Sequence, residues 1–99
     1  MEVVFGNDDL DRLDIEGSFT AGLSQVLVKA YRNKINIIRQ ANDERDLYAI
    51  KSLHFEKLEG KRRHQHSIRL NDQYRLIVEL VKCDQKDKAV RIIEITDYH

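Results

Sequence analysis

The chain lacks the features that mark disulfide-linked, membrane-spanning and thiolate-metal proteins. Cys83 is the only cysteine among 99 residues, which excludes an internal disulfide and a zinc site built from cysteines. Apolar runs such as Leu76 to Val78 fall far short of the ~20 residues that span a bilayer, and the chain begins with acidic residues rather than a basic leader. We therefore expect a soluble, cytoplasmic protein without a membrane partner, stabilised by packing alone.

The chain is also too short for two cores. Its 99 residues, 41% hydrophobic and 34% charged, predict one compact domain spanning residues 1–99. Internal repeats, linkers and low-complexity segments are absent from the sequence. A chain of this length leaves little room for an enclosed cofactor cavity, so we expect an open site and no cofactor.

Most catalytic motifs are missing as well. The sequence has no Gly-rich phosphate loop, no nucleophile elbow and no setting for a cysteine nucleophile. His54, His64 and His66 raise the question of a metal site, but no third ligand stands at a fixed local spacing, and neighbouring basic residues oppose a cation. We therefore expect no metal, and we expect His66 to pack beside Ile68 on an apolar face.

The charge balance is even overall but uneven along the chain. Lys and Arg number 17, as do Asp and Glu, which by itself argues against a nucleic-acid partner. Residues 1–22, however, hold six acidic side chains against one basic, whereas residues 51–75 hold seven basic against three acidic. The basic stretch is either a nucleic-acid contact or a solvated loop whose positive charge is balanced by the acidic residues of 1–22. For residues 61–63 alone, the solvated loop is favoured.

The apolar spacing predicts helices followed by strands. Val3 to Phe5 has β character, and a short helical turn is expected around Leu10 and Leu13. From about Thr20 to Gln40, apolar residues recur every three or four positions, as on one face of a helix capped by Ser18 or Thr20. A second, shorter helix is expected over 46–50, and strands follow up to a last strand over 89–95. The predicted fold is α+β: a small antiparallel sheet with two N-terminal helices packed on one face.

A hairpin brings two arginines together. If Asn71 to Gln73 form a three-residue loop, Leu70 lies opposite Tyr74 and Arg69 lies opposite Arg75, which keeps the apolar residues on one side. Like charges directly opposite each other are destabilising, so the pair needs a carboxylate, a bound anion or solvent between them. Pairing with Glu79 or Asp97 and binding of a phosphate explain this feature equally well.

The final residues form a second polar cluster. Asp97, Tyr98 and His99 directly follow the last predicted strand and bring proton-active side chains to one end of the sheet. Histidine is the side chain most easily used for proton transfer near neutral pH. A terminal histidine alone is usually exposed and idle, but adjacency to a buried strand favours a role for this one.

Three segments together resemble a known family. They are residues 53–60 with Leu53, Leu58 and Gly60, the hairpin 66–76 with Ser-Ile-Arg-Leu-Asn-Asp-Gln-Tyr-Arg at 67–75, and residues 94–99 ending in Asp-Tyr-His. The chain resembles HigB-type toxins of the RelE/ParE superfamily, from bacterial type II toxin–antitoxin systems. The resemblance is strong over the last half of the chain and loose over the helices.

The resemblance implies a ribosome-dependent endoribonuclease that cuts mRNA in the A site and is held inactive by a helix-turn-helix antitoxin, HigA-like. The toxin would bind operator DNA only indirectly, through that antitoxin. The nucleophile in such enzymes is the 2′-hydroxyl of the RNA, so the protein supplies charge stabilisation, a base, an acid and positioning.

The implied roles fall on matching positions of this chain. Arg69 and Arg75 would bind the scissile phosphate, and His99 would act as general acid or base. Tyr98 would stack on a base or orient the phosphate. Asp97 would position His99 or share the proton transfer. Lys57 or Lys61 would add positive charge near the cut, and Arg62 and Arg63 would contact the backbone of ribosomal RNA.

Two alternatives share this fold. One is a ParE-like toxin that inhibits DNA gyrase by binding and has no catalytic activity. The other is a catalytically inactive protein that joins the antitoxin on operator DNA as a corepressor. The Asp-Tyr-His end favours the nuclease over the ParE-like toxin, whereas a corepressor role is compatible with the nuclease role.

Overall fold

The structure, a computed structural model, describes residues 1–82 and 88–97. Within that part of the chain, three α-helices lie on one face of a five-stranded sheet whose strand order is β1-β5-β4-β3-β2. The predicted α+β class is confirmed. The helices are Asp8–Ile15 (α1), Gln25–Gln40 (α2) and Glu44–Ala49 (α3), and the strands are Glu2–Phe5 (β1), Glu56–Lys57 (β2), Gln65–Arg69 (β3), Tyr74–Lys82 (β4) and Lys88–Asp97 (β5).

Helix α2 provides most of the helical part of the core. Its predicted apolar face is buried against the sheet and α1, and it ends at Gln40 as expected. It begins later than predicted, at Gln25, because Ala21 and Gly22 have φ angles of 51° and 78° that no α-helix contains. The cap is therefore Ser24, whose hydroxyl accepts a hydrogen bond from the Leu27 N–H at 3.1 Å.

Helix α1 is a complete two-turn helix where only a weak turn was expected. Asn7 caps it by accepting a hydrogen bond from the Leu10 N–H at 3.0 Å. The buried Tyr31 hydroxyl donates to the Leu10 carbonyl at 2.7 Å, and Arg32 Nε donates to the Leu13 carbonyl at 2.7 Å. These contacts from α2 stabilise a segment whose own apolar content is too low to predict a helix with confidence.

Helix α3 begins two residues before its predicted start at residue 46. Asp43 caps it through a hydrogen bond from the Arg45 N–H at 2.9 Å, and Leu47 is fully buried. Across the described ranges, no helix is both long enough and apolar enough to cross a bilayer.

The hairpin of β3 and β4 confirms the predicted register. Arg69 lies opposite Arg75, and Ile68 lies opposite Leu76. Ile68 and Leu76 are buried under the helices, so the two arginines lie on the other face of the sheet. Strand β5, slightly longer than predicted, lies between β4 and β1.

The sheet is mixed rather than purely antiparallel, because β1 runs parallel to β5. The apolar run Val3 to Phe5 predicted a strand, but such a run carries no information about direction. Gly6 permits the close approach at the end of this pairing: its N–H donates to the Ile92 carbonyl at 2.8 Å, and a Cβ there would lie 2.6 Å from the same oxygen.

Candidate active site

The loop of the β3–β4 hairpin is built by its own polar side chains. The Asn71 side-chain oxygen accepts hydrogen bonds from the backbone N–H groups of Gln73 at 2.8 Å and Tyr74 at 2.7 Å. The Leu70 N–H donates to the Tyr74 carbonyl at 3.0 Å and closes the three-residue loop. This loop holds the strand ends in the register that sets Arg69 against Arg75.

The two arginines have different surroundings. Arg69 forms an ion pair with Asp72 in the loop, a partner that sequence reasoning had not considered. Arg75 extends Nη1 toward the His54 carbonyl at 3.4 Å and the Ser67 hydroxyl at 3.5 Å, both near the upper limit for a hydrogen bond. Ser67 is almost fully buried, so its hydroxyl is a fixed point beside Arg75.

Glu79 and Asp97, the carboxylates proposed as partners for the arginines, each contact a residue near the end of the sheet or its neighbouring strand. Glu79 lies 3.7 Å from Arg91. Asp97 accepts a hydrogen bond from Gln73 Nε2 at 2.9 Å, which ties the end of β5 to the hairpin loop. Asp97 therefore lies beside the hairpin loop.

His54 enters the site from a different part of the chain. It follows a short 3₁₀ turn, Lys51–Leu53, and adopts a left-handed backbone with φ 48° and ψ 50°. That conformation is uncommon for a residue with a side chain and occurs most often at turns and functional sites. The bend turns the chain from α3 toward the sheet and leaves the His54 side chain exposed.

These groups surround one open cavity of about 170 Å³. This volume holds several water molecules, since one water occupies about 30 Å³ in the liquid. Its two guanidinium groups, one of them paired with the Asp72 carboxylate, its imidazole and its amide side chains give it the character of an anion site that also has a proton-transfer group. Its lining residues are His54, Arg69, Asn71, Asp72, Gln73 and Arg75.

Comparison with known proteins identifies the family. Residues 4–99 match the family model of the RelE-like toxin of the type II toxin–antitoxin system HigB. The chain belongs to the HigB-like toxins. A YoeB/ParE toxin from Agrobacterium tumefaciens has a similar structure, with a TM-score of 0.60 and 14% identity over the whole of both chains. At this identity the likeness shows the fold, and the predicted RelE/ParE-like fold is confirmed. Among curated proteins, no match is found.

Membership of the HigB-like toxin family establishes the general role of this chain. The chain is the toxin of a type II toxin–antitoxin system, and such a toxin has an antitoxin as its partner. RelE-like toxins are generally endoribonucleases. The predicted residues Tyr98 and His99 lie outside the described residues, so their roles stay predictions.

The predicted RNA-binding residues do not form one uniform patch. Lys57 is exposed in β2, and Lys61 and Arg63 are exposed in the loop that follows. Arg62 is held against the sheet instead: Nε donates to Gln65 at 2.8 Å and Nη2 donates to Glu94 at 3.0 Å. Arg62 therefore anchors the basic loop to β3 and β5, although about half of its side chain remains exposed.

His54 and Ser67 are the site residues that sequence reasoning missed. In the sequence, His54 raises only the question of a metal site with His64 and His66, and the described residues contain no group of three side chains suited to hold a metal ion. Ser67 was part of the hairpin motif but had no role. The signal available in the sequence was the neighbour of each residue. Ser67 stands next to Ile68 and His54 stands next to Leu53, and both of these neighbours are buried.

Proposed function

We propose that this toxin is a ribosome-dependent endoribonuclease that cleaves mRNA in the A site, using the 2′-hydroxyl of the RNA as the nucleophile. The observation that carries the proposal is the cavity lined by His54 and by Arg69 and Arg75, which occupy opposite positions of the hairpin. Two opposed guanidinium groups are stabilised when a phosphate lies between them, and the charge they stabilise grows as a phosphorane forms.

The chemistry requires no nucleophile from the protein. A base removes the proton from the 2′-hydroxyl, O2′ attacks the adjacent phosphorus, and the bond from phosphorus to the 5′-oxygen breaks. An acid then protonates the departing 5′-oxygen, leaving a 2′,3′-cyclic phosphate on one product and a 5′-hydroxyl on the other. The candidates for these two proton transfers are His54, Asp97 and His99, with Tyr98 orienting the phosphate or stacking on a base.

Each arginine contributes by stabilising negative charge in the transition state. Loss of one preorganised donor of this kind typically lowers the rate by about 10²- to 10³-fold. Lys57 and Lys61 add positive charge near the cut, while Arg63 and the exposed part of Arg62 contact ribosomal RNA through a salt-sensitive, sequence-independent attraction. The partner that holds the toxin inactive is a helix-turn-helix antitoxin, HigA-like.

The test is cleavage of a defined message on stalled ribosomes, with cut sites mapped by primer extension. We expect cuts within the A-site codon for the wild type, and loss of those cuts in Arg75→Ala, His54→Ala and His99→Ala. No cleavage of the same message is expected when ribosomes are absent.

Matched controls separate the site from general loss of charge. Arg45→Ala removes an arginine of α3 that is paired with Asp43 and lies outside the cavity, and His64→Ala removes a histidine outside the cavity. Both should cleave like the wild type. If the wild type makes no cuts although it is toxic in cells, the nuclease proposal is wrong, and inhibition of DNA gyrase becomes the next hypothesis.

A further inference from the structure

An aromatic cluster lies directly behind the cavity, on the helix side of β3. The rings of Phe55 and His66 stack with centroids 4.5 Å apart and planes 7° from parallel. The ring of Tyr48 lies edge-on to Phe55 at 4.7 Å, and its hydroxyl lies 2.8 Å from His66 Nε2. Phe55 and His66 are both buried.

Burial favours the neutral form of the His66 imidazole. Burial lowers the pKa of His66, and the nearby Lys57 lowers it further, while Glu44 acts in the opposite direction. Within the described residues, the Nδ1 atom of His66 is buried and has no hydrogen-bond partner. The ring therefore keeps its position through stacking and the one hydrogen bond to Tyr48, rather than through a polar network.

This cluster is connected to the cavity through residues that are adjacent in sequence. Phe55 follows His54, and Ser67 follows His66. The His54 carbonyl and the Ser67 hydroxyl both accept from Arg75 Nη1. The separation between these two acceptors thus depends on how Phe55 packs against His66.

Backbone pairing alone does little to hold the segment of His54 and Phe55 against β3. Strand β2 contains two residues, which pair with Ser67 and His66 of β3. The residue before Phe55, His54, has a left-handed backbone, which requires the surrounding structure to hold it in place. Burial of the Phe55 ring against His66 provides that constraint.

We propose that the Phe55–His66 stack, tied to Tyr48, is a positioning device that fixes the acceptors of Arg75 and thereby the guanidinium that meets the phosphate. The proposal rests on the proposed function, since Arg75 acts there in the transition state. His66 is a positioning residue in this account and does not touch the substrate. A small displacement of a catalytic group lowers a rate by up to about 10²-fold.

The first test compares steady-state cleavage on programmed ribosomes for three variants. His66→Leu removes the ring and should lower kcat by about 10- to 100-fold, with KM for the ribosome complex within about 2-fold of the wild type. His66→Phe restores a stacking ring and should return kcat to within about 3-fold of the wild type. Tyr48→Phe removes only the hydroxyl and should lower kcat less than His66→Leu does.

Tyr31→Phe is the matched control. It removes a buried tyrosine hydroxyl from the α1–α2 contact, away from the cavity, and so lowers stability without touching the cluster. Equal kcat losses in Tyr31→Phe and Tyr48→Phe, or a His66→Leu variant with unchanged kcat, would overturn the positioning proposal. If His66→Leu does not fold by circular dichroism, the comparison of Tyr48→Phe with Tyr31→Phe and the rescue by His66→Phe decide the question.

A second readout is independent of cleavage. The side-chain Nε–H resonance of Arg75, followed by NMR during titration with inorganic phosphate, should shift in the wild type and in His66→Phe, and should respond at least about 3-fold more weakly in His66→Leu. If the wild type does not cut mRNA but this difference is present, the proposed function fails and the positioning stands. If cutting occurs and Arg75 responds equally in every variant, the positioning fails and the proposed function stands.

Discussion

Asp72 competes with a bound phosphate for Arg69, and its removal should tighten anion binding. Asp72 forms an ion pair with Arg69, lines the cavity, and has a side chain that is 95% exposed. A phosphate that binds between Arg69 and Arg75 must displace or share this contact. We therefore predict that Asp72→Asn, which keeps the shape of the side chain, raises the affinity of the cavity for phosphate.

The size of the effect follows from the exposure of the ion pair. Pairs of exposed side chains contribute about 0.2–1 kcal/mol, because water screens the charges and the side chains lose freedom on pairing. The loss of this competition therefore corresponds to a gain in affinity of about 1.4- to 5-fold. The gain should shrink as salt is added, since the screening length is about 8 Å at physiological ionic strength.

The assay is NMR titration of inorganic phosphate into the wild type and Asp72→Asn at low salt. The control is Asp9→Asn, which makes the same change in net charge on α1, a helix that packs against α2 and against β1 at the far edge of the sheet. An unchanged or weaker affinity in Asp72→Asn, or an equal gain in Asp9→Asn, would show that Arg69 is not part of an anion site.

Three further predictions concern stability and are measured by urea denaturation. Tyr31→Phe should lower the free energy of unfolding by about 1 kcal/mol, because the buried hydrogen bond to the Leu10 carbonyl is lost. Gly6→Ala should lower it by about 1–3 kcal/mol, because the new Cβ meets the Ile92 carbonyl oxygen at 2.6 Å. The wild type should lose more stability than His66→Phe between pH 7.5 and 5. The pKa of folded His66 lies below its unfolded value, so the unfolded state binds more protons as the pH falls below about 6.5. This difference cannot exceed about 1.4 kcal/mol per pH unit for one group. An unchanged free energy of unfolding in Tyr31→Phe or Gly6→Ala, or the same pH dependence in His66→Phe as in the wild type, would contradict the corresponding prediction.

The elements governed by short-range patterns were predictable from sequence. The face of α2 follows from the spacing of its apolar residues, and the opposition of Arg69 and Arg75 follows from the loop length together with the need to bury one face of the hairpin. Both depend on residues that are close in sequence. His66 also packs on the apolar face beside Ile68, as its alternation in β3 predicts.

Features that depend on distant residues were not predictable in the same way. The hydrogen bond from Arg62 to Glu94 joins residues 32 positions apart, which only the pairing of β3, β4 and β5 brings together. His54 reaches the cavity because of a left-handed turn, which a histidine does not signal in sequence. The parallel direction of β1 likewise follows from tertiary packing, since its apolar run is equally consistent with either direction.

The central claim is that the 2′-hydroxyl of the message is the nucleophile, and it can be tested on the RNA itself. After the cut site is mapped on programmed ribosomes, the nucleotide immediately 5′ to that phosphate is replaced by its 2′-deoxy form in an otherwise identical message. The account predicts that cleavage at that phosphate disappears, whereas a 2′-deoxy substitution one codon upstream leaves it unchanged. Cleavage at an unchanged rate beside the 2′-deoxy nucleotide would contradict the mechanism, because no internal nucleophile would remain.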